Sequence, residues 1–146
     1  MDLVFNIAKG RIAHLATLPA TNDSLVAIPV ESAGLVADAL MADYTNVSDL
    51  FAGPSNPQVF MGRKTLTSVM VNRDYINNYV TVTAANPTWL AATGNAVGAL
   101  VIAYNPDFTI NDDTTLIPLV KLDWSVTPAG TDITANFPNG IFWLSE

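Results

Sequence analysis

No cysteine occurs in the 146 residues, which excludes disulfides, thiolate metal sites and cysteine nucleophiles. Histidine occurs once, as His14, so most histidine-based triads and multi-histidine metal cages are excluded too. Glutamate is nearly as scarce: the two copies are Glu31 and Glu146, a poor supply for the raised-pKa acid and ionised partner that glycoside hydrolysis needs. Only six Lys and Arg stand against thirteen Asp and Glu, a formal charge of −7. Phosphate binding needs clustered cations, so nucleic acid is not an expected partner. The longest apolar run, residues 96–104, is broken by Gly98 and is far short of the ~20 residues a spanning helix needs, so no membrane partner is expected either. The opening Met1-Asp2-Leu3-Val4-Phe5-Asn6 lacks the basic start and long apolar stretch of a secretion signal. The expectation is a chain that works where it is made or leaves the cell by another route.

What remains is the composition of one domain, 1–146, with a core of its own. A chain of 15.6 kDa buries roughly 70% of its extended surface. Half of its residues are apolar, 13% are charged, and the mean hydropathy is +0.32. Soluble surfaces generally carry about 25–35% charged residues, so the surface must be covered by something else. Fifteen Thr and thirteen Asn supply part of that cover. Contact with other protein chains is expected to supply the rest, since apolar surface left in water marks interfaces; the competing reading is a soluble Thr/Asn-rich β monomer. Charge is also uneven. Residues 1–73 hold five bases against six acids, a net of −1, while residues 74–146 hold one base against seven acids, a net of −6. Such asymmetry can orient a protein on a charged partner.

Along the chain, residues 3–18 read as a short helix or irregular arm interrupted by Gly10 and ended by Pro19. Residues 25–30 are a continuously apolar run, as expected of a strand buried on both faces, with Pro29 placing it near an edge or a bulge. Residues 35–43 fit strand or helix. Asn46 suits an N-cap, Asp49 lies in the first turn, and Gly53-Pro54 stops a two-turn helix. From Thr65 the period becomes two, with Thr65, Thr67, Val69 and Val71 on one face of a first long strand. A turn at 74–78 and a strand at 79–83 complete a hairpin. Further strands are expected at 88–92, 97–104, 114–123 (with an edge or bulge at Pro118), 124–127, 131–137 and 141–144. Turn signals every eight to twelve residues predict a mainly β chain, an antiparallel β-sandwich for which a jelly roll is one candidate topology. A helix-containing N-terminal segment, 1–62, would pack on an antiparallel β body, 63–146.

Chemical motifs are few. The loop Asp107-Phe108-Thr109-Ile110-Asn111-Asp112-Asp113 fails the helix-loop-helix calcium pattern, because its sixth position is Asp112 rather than Gly and its twelfth is Pro118 rather than Glu. A looser all-oxygen cation site at Asp107, Asp112 and Asp113 is the weaker reading, and a solvated loop the stronger. Asp123 beside Trp124 reads as a strand-edge aspartate, and His14 has no nearby Ser or Cys motif. Gly94-Asn95-Ala96-Val97-Gly98 lacks the Lys-Ser/Thr ending of a phosphate loop. Trp89, Trp124 and Trp143 all fall on expected strands, where core packing outweighs an intersubunit contact or a sugar-stacking platform. No catalytic residue, metal site or cofactor is therefore expected.

Several blocks, taken in order, carry a resemblance. They are Asn6-Ile7-Ala8-Lys9-Gly10-Arg11-Ile12-Ala13, Gly62-Arg63-Lys64-Thr65-Leu66-Thr67, and Ala92-Thr93-Gly94-Asn95-Ala96-Val97-Gly98-Ala99-Leu100-Val101-Ile102-Ala103-Tyr104. Leu116-Ile117-Pro118-Leu119, Asp132-Ile133-Thr134-Ala135 and Gly140-Ile141-Phe142 follow. In that order and spacing they resemble small virion proteins of tailed bacteriophages, of the kind encoded near the major capsid protein. The resemblance implies a head decoration or cement protein. Such a protein would be a homo-oligomer, dimer or trimer, bound to the capsid exterior at junctions between major capsid subunits, assembled in the host cytoplasm, and stabilising the shell against DNA pressure. Lys9, Arg11, Arg63 and Lys64 would then face the shell and the acidic β body would face solvent. The competing expectation is a tail or fibre-associated β-sandwich that binds host-surface carbohydrate. A secreted carbohydrate-binding module ranks below both, and an enzyme ranks last.

Overall fold

In the computed structural model, which describes residues 1–145, the chain is mainly β and every strand pairing is antiparallel. The main sheet has the spatial order β1 (Leu3–Val4), β8 (Ile117–Val126), β7 (Val97–Asn105), β2 (Ser24–Glu31), β3 (Lys64–Thr65). A second layer holds β10 (Phe142–Ser145), β5 (Tyr79–Thr83) and β4 (Met70–Asp74) in one sheet, and β6 (Thr88–Ala92) with β9 (Thr131–Thr134) in another. Three one-turn helices, α1 (Ile12–Leu15), α2 (Asp38–Met41) and α3 (Val47–Phe51), and a 3-10 turn at Asn6–Ala8 complete the described elements.

The unbroken apolar runs of β2 and β7 have a direct physical reason. A strand covered on both faces has no polar side, so it reads as a continuous hydrophobic stretch rather than an alternation. On one face Leu25, Ala27, Leu100, Ile102 and Tyr104 pack with Val82, Trp89, Ala135 and Ile141 of the second layer. On the other, Val26, Ile28, Val30, Ala99, Val101 and Ala103 pack with Phe5, Met41, Val47 and Leu50 of the arm and the helices. The architecture is sandwich-like, with α2 and α3 closing the outer face of the main sheet and α1 packing into the core between the layers.

Pro29 sits where its missing donor does no harm. Its carbonyl accepts from Gln58 N–H at 2.9 Å, so its nitrogen also faces that side, away from β7 and beyond the reach of β3, which pairs only with Val26 and Ala27. A bulge follows between Val30 and Glu31. Pro118 likewise lies at a register shift, opposite Ala103. Helix α3 begins as its sequence indicates: Asn46 Oδ1 accepts from Asp49 N–H at 2.9 Å, and Asp49 Oδ2 accepts from Asn46 N–H at 3.3 Å.

Other expectations are corrected. The single strand starting at Thr65 is two strands in different sheets, because Ser68 adopts φ +54°, a left-handed backbone that ends the extended run. Residues 124–127 do not form a strand of their own: Trp124, Ser125 and Val126 continue β8. The stretch 35–43 resolves as helix α2. Residues 3–18 are an irregular segment that contains a short helix, and they also supply a strand that was not expected. They make strand β1, a 3-10 turn at Asn6–Ala8 and helix α1, with Phe5 buried and its N–H donated to Leu119 O at 3.1 Å. Segment 1–62 is also more than a layer packed on the β body, since β2 is an interior strand of the main sheet.

Candidate functional site

Where β8 meets the segment leading into β10, the two layers separate into a cleft of about 440 Å³. Its lining includes Leu122 and Trp124 of β8 and, from the segment leading into β10, Asn136, Phe137, Asn139 and Phe142; Trp143, next along β10, alternates to the other face of that strand. The three tryptophans divide here. Trp89 is 2% exposed and donates its Nε1–H to Gly62 O at 2.9 Å. It stacks at a tilt on Trp124, with ring centroids 5.3 Å apart, so Trp124 has a fixed backing. Trp143 departs from the expected core role, being 56% exposed.

Beside the cleft, on the α2 face of β8, lies a buried cation. Lys121 Nζ donates to Met1 O at 3.0 Å, to Asp38 Oδ1 at 3.1 Å and to Asp123 Oδ1. An ammonium has three hydrogens, and these partners engage all of them. Burial pushes the Lys121 pKa down, but the hydrogen bonds it donates to Asp123 and Asp38 outweigh it and the net shift is upward. Asp123 is held below the ordinary carboxylate range, first by the Lys121 hydrogen bond. Its own N–H donates to Asp2 Oδ1 at 2.7 Å.

The cations expected to meet a shell are in unlike positions. Lys9 is exposed and donates to Asn6 Oδ1 at 2.6 Å, and Arg11 is exposed. Lys64 is half-buried on β3 opposite Ala27. Arg63 forms a two-pronged ion pair with Asp113, at 2.5 and 2.7 Å, across fifty residues of sequence. That pair also removes Asp113 from any cation site. Asp107 Oδ1 accepts from the N–H and Oγ1–H of Thr109, and Asp112 Oδ1 from those of Thr114. The three aspartates thus brace the loop, and among the described residues no cluster of three or more metal-ligating side chains is assembled. His14 is exposed on α1. Among the described residues no helix is long and apolar enough to cross a membrane.

Sequence reasoning missed a pattern in the loops. The turn between α3 and β3 exposes Val59 and Phe60, the latter at 72%; the β4–β5 tip exposes Tyr75 and Ile76, the latter at 91%; the 105–116 loop exposes Phe108 and Ile110. Each of these tips is pinned from within. Gln58 Oε1 accepts from Phe60 and Met61 N–H. Asp74 Oδ1 accepts from Ile76 and Asn77 N–H. Asp107 braces the third tip, where Phe108 N–H also donates to Asn22 O at 2.8 Å. At the second and third tips the signal was present as an Asp two residues before the N–H it accepts, the mark of an Asx turn. Apolar side chains therefore stand in water on backbones already held in one conformation.

No protein-family model matches the chain, and neither does any curated protein or solved structure.

Proposed function

We propose that this chain is a non-enzymatic structural protein of a virion, a decoration or cement protein on the outside of a tailed-phage head. The observation that carries the reading is the set of braced, apolar loop tips at 59–60, 75–76 and 108–110. Large apolar groups exposed in clusters mark contact surfaces, and ordering them beforehand removes part of the entropy cost of binding. The ordered blocks that resemble small phage virion proteins supply the kind of partner: the major capsid protein, and further copies of this chain in a dimer or trimer. The mechanism is mechanical. Many copies add contact area across subunit junctions and resist the outward pressure of packaged DNA.

Because Arg63 is tied to Asp113, the shell-facing cations free to engage a partner are Lys9, Arg11 and Lys64. Two variants test the reading on heads lacking this chain: Phe60→Ser with Ile76→Ser, and Lys9→Glu with Arg11→Glu and Lys64→Glu. Wild-type protein saturates the shell. Each variant loses occupancy while keeping its unfolding midpoint. Full occupancy by the apolar-tip variant contradicts the reading, and full occupancy by the charge variant contradicts the orientation. The tail-associated reading differs in stoichiometry, with few copies located at the tail.

A further inference from the structure

The geometry points to a strand-to-strand contact between copies of this chain: the free edge of β4 in one copy pairs antiparallel with the free edge of β9 in the next, setting Arg73 opposite Asp132 of its neighbour. The inference rests on the reading of the chain as one copy of a homo-oligomer, and it names the two surfaces through which the copies meet.

Both strands lie at the edge of their sheets, and along an antiparallel strand the backbone groups of successive residues point to opposite sides. Val82 O accepts from Ile141 N–H at 2.7 Å, on the β10 side of β5. Val82 and Val80 therefore turn their backbone groups away from β4, and Val71 and Arg73, which face them across the ladder, turn theirs to the free edge. On β9, Ala135 N–H donates to Pro87 O at 3.0 Å, on the β6 side. Ile133, opposite Trp89, points the same way, so Asp132 and Thr134 direct their N–H and C=O outward. Asn72, Arg73, Asp132 and Thr134 are all exposed. Each edge thus offers two residues, spaced by one, with unpaired backbone groups. A single antiparallel register, Arg73 with Asp132 and Val71 with Thr134, matches donors to acceptors at both positions.

Charge selects the same register. Arg73 makes no ion pair among the described residues, and a guanidinium on a strand edge keeps that edge apart from others unless a carboxylate meets it. Asp132 is such a carboxylate: its Oδ1 accepts from Ala91 N–H at 2.8 Å, which holds the side chain in place and leaves Oδ2 for a neighbour. The other edge strands, β1, β3, β6 and β10, contain no acid. Pairing β4 with a second β4 would bring two Arg73 side chains together, and Asp74 could not balance them, since its oxygens already accept from Ile76 N–H, Asn77 N–H and Asn77 Nδ2. The contact joins two different surfaces, so each copy uses one edge to bind and offers the other, and the assembly closes when the rotation returns to the first copy.

The test measures the mass of the purified full chain against concentration by light scattering. The wild type is a discrete oligomer. Arg73→Glu weakens association at least about tenfold, the loss of one close interfacial charge pair, with an unchanged far-ultraviolet dichroism spectrum, and combining it with Asp132→Arg restores the oligomer. Because the chain has no cysteine, cross-linking has no background. The Val71→Cys, Thr134→Cys double variant, which keeps Arg73 and Asp132, forms disulfides between copies on oxidation, since residues opposed across a ladder lie about 5.5 Å apart at Cα, within disulfide reach; neither single variant does. A monomeric wild type, an oligomer indifferent to Arg73→Glu, stronger association of that variant, or self-linking by Val71→Cys alone would each overturn the proposal. Occupancy on heads is scored separately, so full occupancy by a monomer removes this contact and leaves the decoration reading, whereas an Arg73-dependent oligomer that never binds heads does the reverse.

Discussion

Strands β2 and β7 and the hairpin β4–β5 are both antiparallel pairs, yet their side chains face opposite conditions. In β2 every residue from Ser24 to Val30 is buried, and in β7 every residue from Ala99 to Tyr104 is buried. In the hairpin only Val82 reaches that state, and the tip holds Tyr75 and Ile76 in water. The first pair has apolar neighbours above and below. The second covers the sheet with one face and offers the other to solvent or to a partner. Stability should therefore concentrate in the main sheet, and recognition in the outer layer and its loops.

The largest expected effect tests that division directly. Ile102→Ala removes a fully buried side chain and should cost about 2–5 kcal/mol in urea unfolding. Ile76→Ala should stay within about 0.5 kcal/mol, as surface changes do. Comparable losses at the two sites would abolish the distinction. A smaller contrast compares two glycines. Gly94 has φ +107°, and a Cβ there would lie 2.2 Å from Gln58 Nε2; Gly10 has φ +79° with nothing within 4 Å. Both alanine variants incur backbone strain of about 1–3 kcal/mol. Gly94→Ala should lose more, because it also displaces the Gln58 that braces the Phe60 tip. Equal losses would remove Gln58 from that role.

Two local devices should contribute less. Asn46→Ala removes the α3 cap and should cost about 1 kcal/mol. A double-mutant cycle on Arg63 and Asp113 should return a coupling of about 0.5–1 kcal/mol, because the pair is two-pronged but partly exposed. A coupling of zero would mean that the ion pair does not fasten the 105–116 loop to β3.

The pH dependence has two limbs. Hydrogen bonds hold Asp49 (from Thr45), Asp74 (from Asn77), Asp107 (from Thr109) and Asp112 (from Thr114) below the ordinary value of 3.8. A depressed carboxylate adds stability that is complete above its unfolded value and is lost as pH falls through the folded one. The unfolding midpoint should thus drop on acidification below the ordinary carboxylate range. Burial, and then the hydrogen bond to Asp23, push the Tyr104 phenol up to about 12. That contribution is complete below 10.0 and disappears as pH rises toward about 12. Phenolate absorbance assigned by Tyr104→Phe checks this limb, and ionisation of Tyr104 near its ordinary value would contradict it.

How much of this was legible in the sequence depended on range. The α3 cap at Asn46, the buried runs of β2 and β7, the hairpin about residues 74–78 and the bulge at Pro118 were all legible, because local rules govern them. The break at Ser68 was not, since nothing about a serine announces φ +54°. Nor was the Arg63–Asp113 pair, whose partners meet only through the fold. The cleft was hidden for the same reason: it exists because strand order brings β8, with Trp124, beside the segment that holds Phe137 and Phe142, and periodicity carries no strand order. Periodicity placed Trp143 on a strand without showing that its neighbours leave one side open.

The central claim, that this chain is a shell component held through its loop tips, is tested most directly by its mass and copy number in purified particles before and after gentle dissociation. The account predicts a copy number that scales with the junctions between major capsid subunits, and release as a discrete dimer or trimer. A few copies confined to the tail, or absence from the particle, would contradict it.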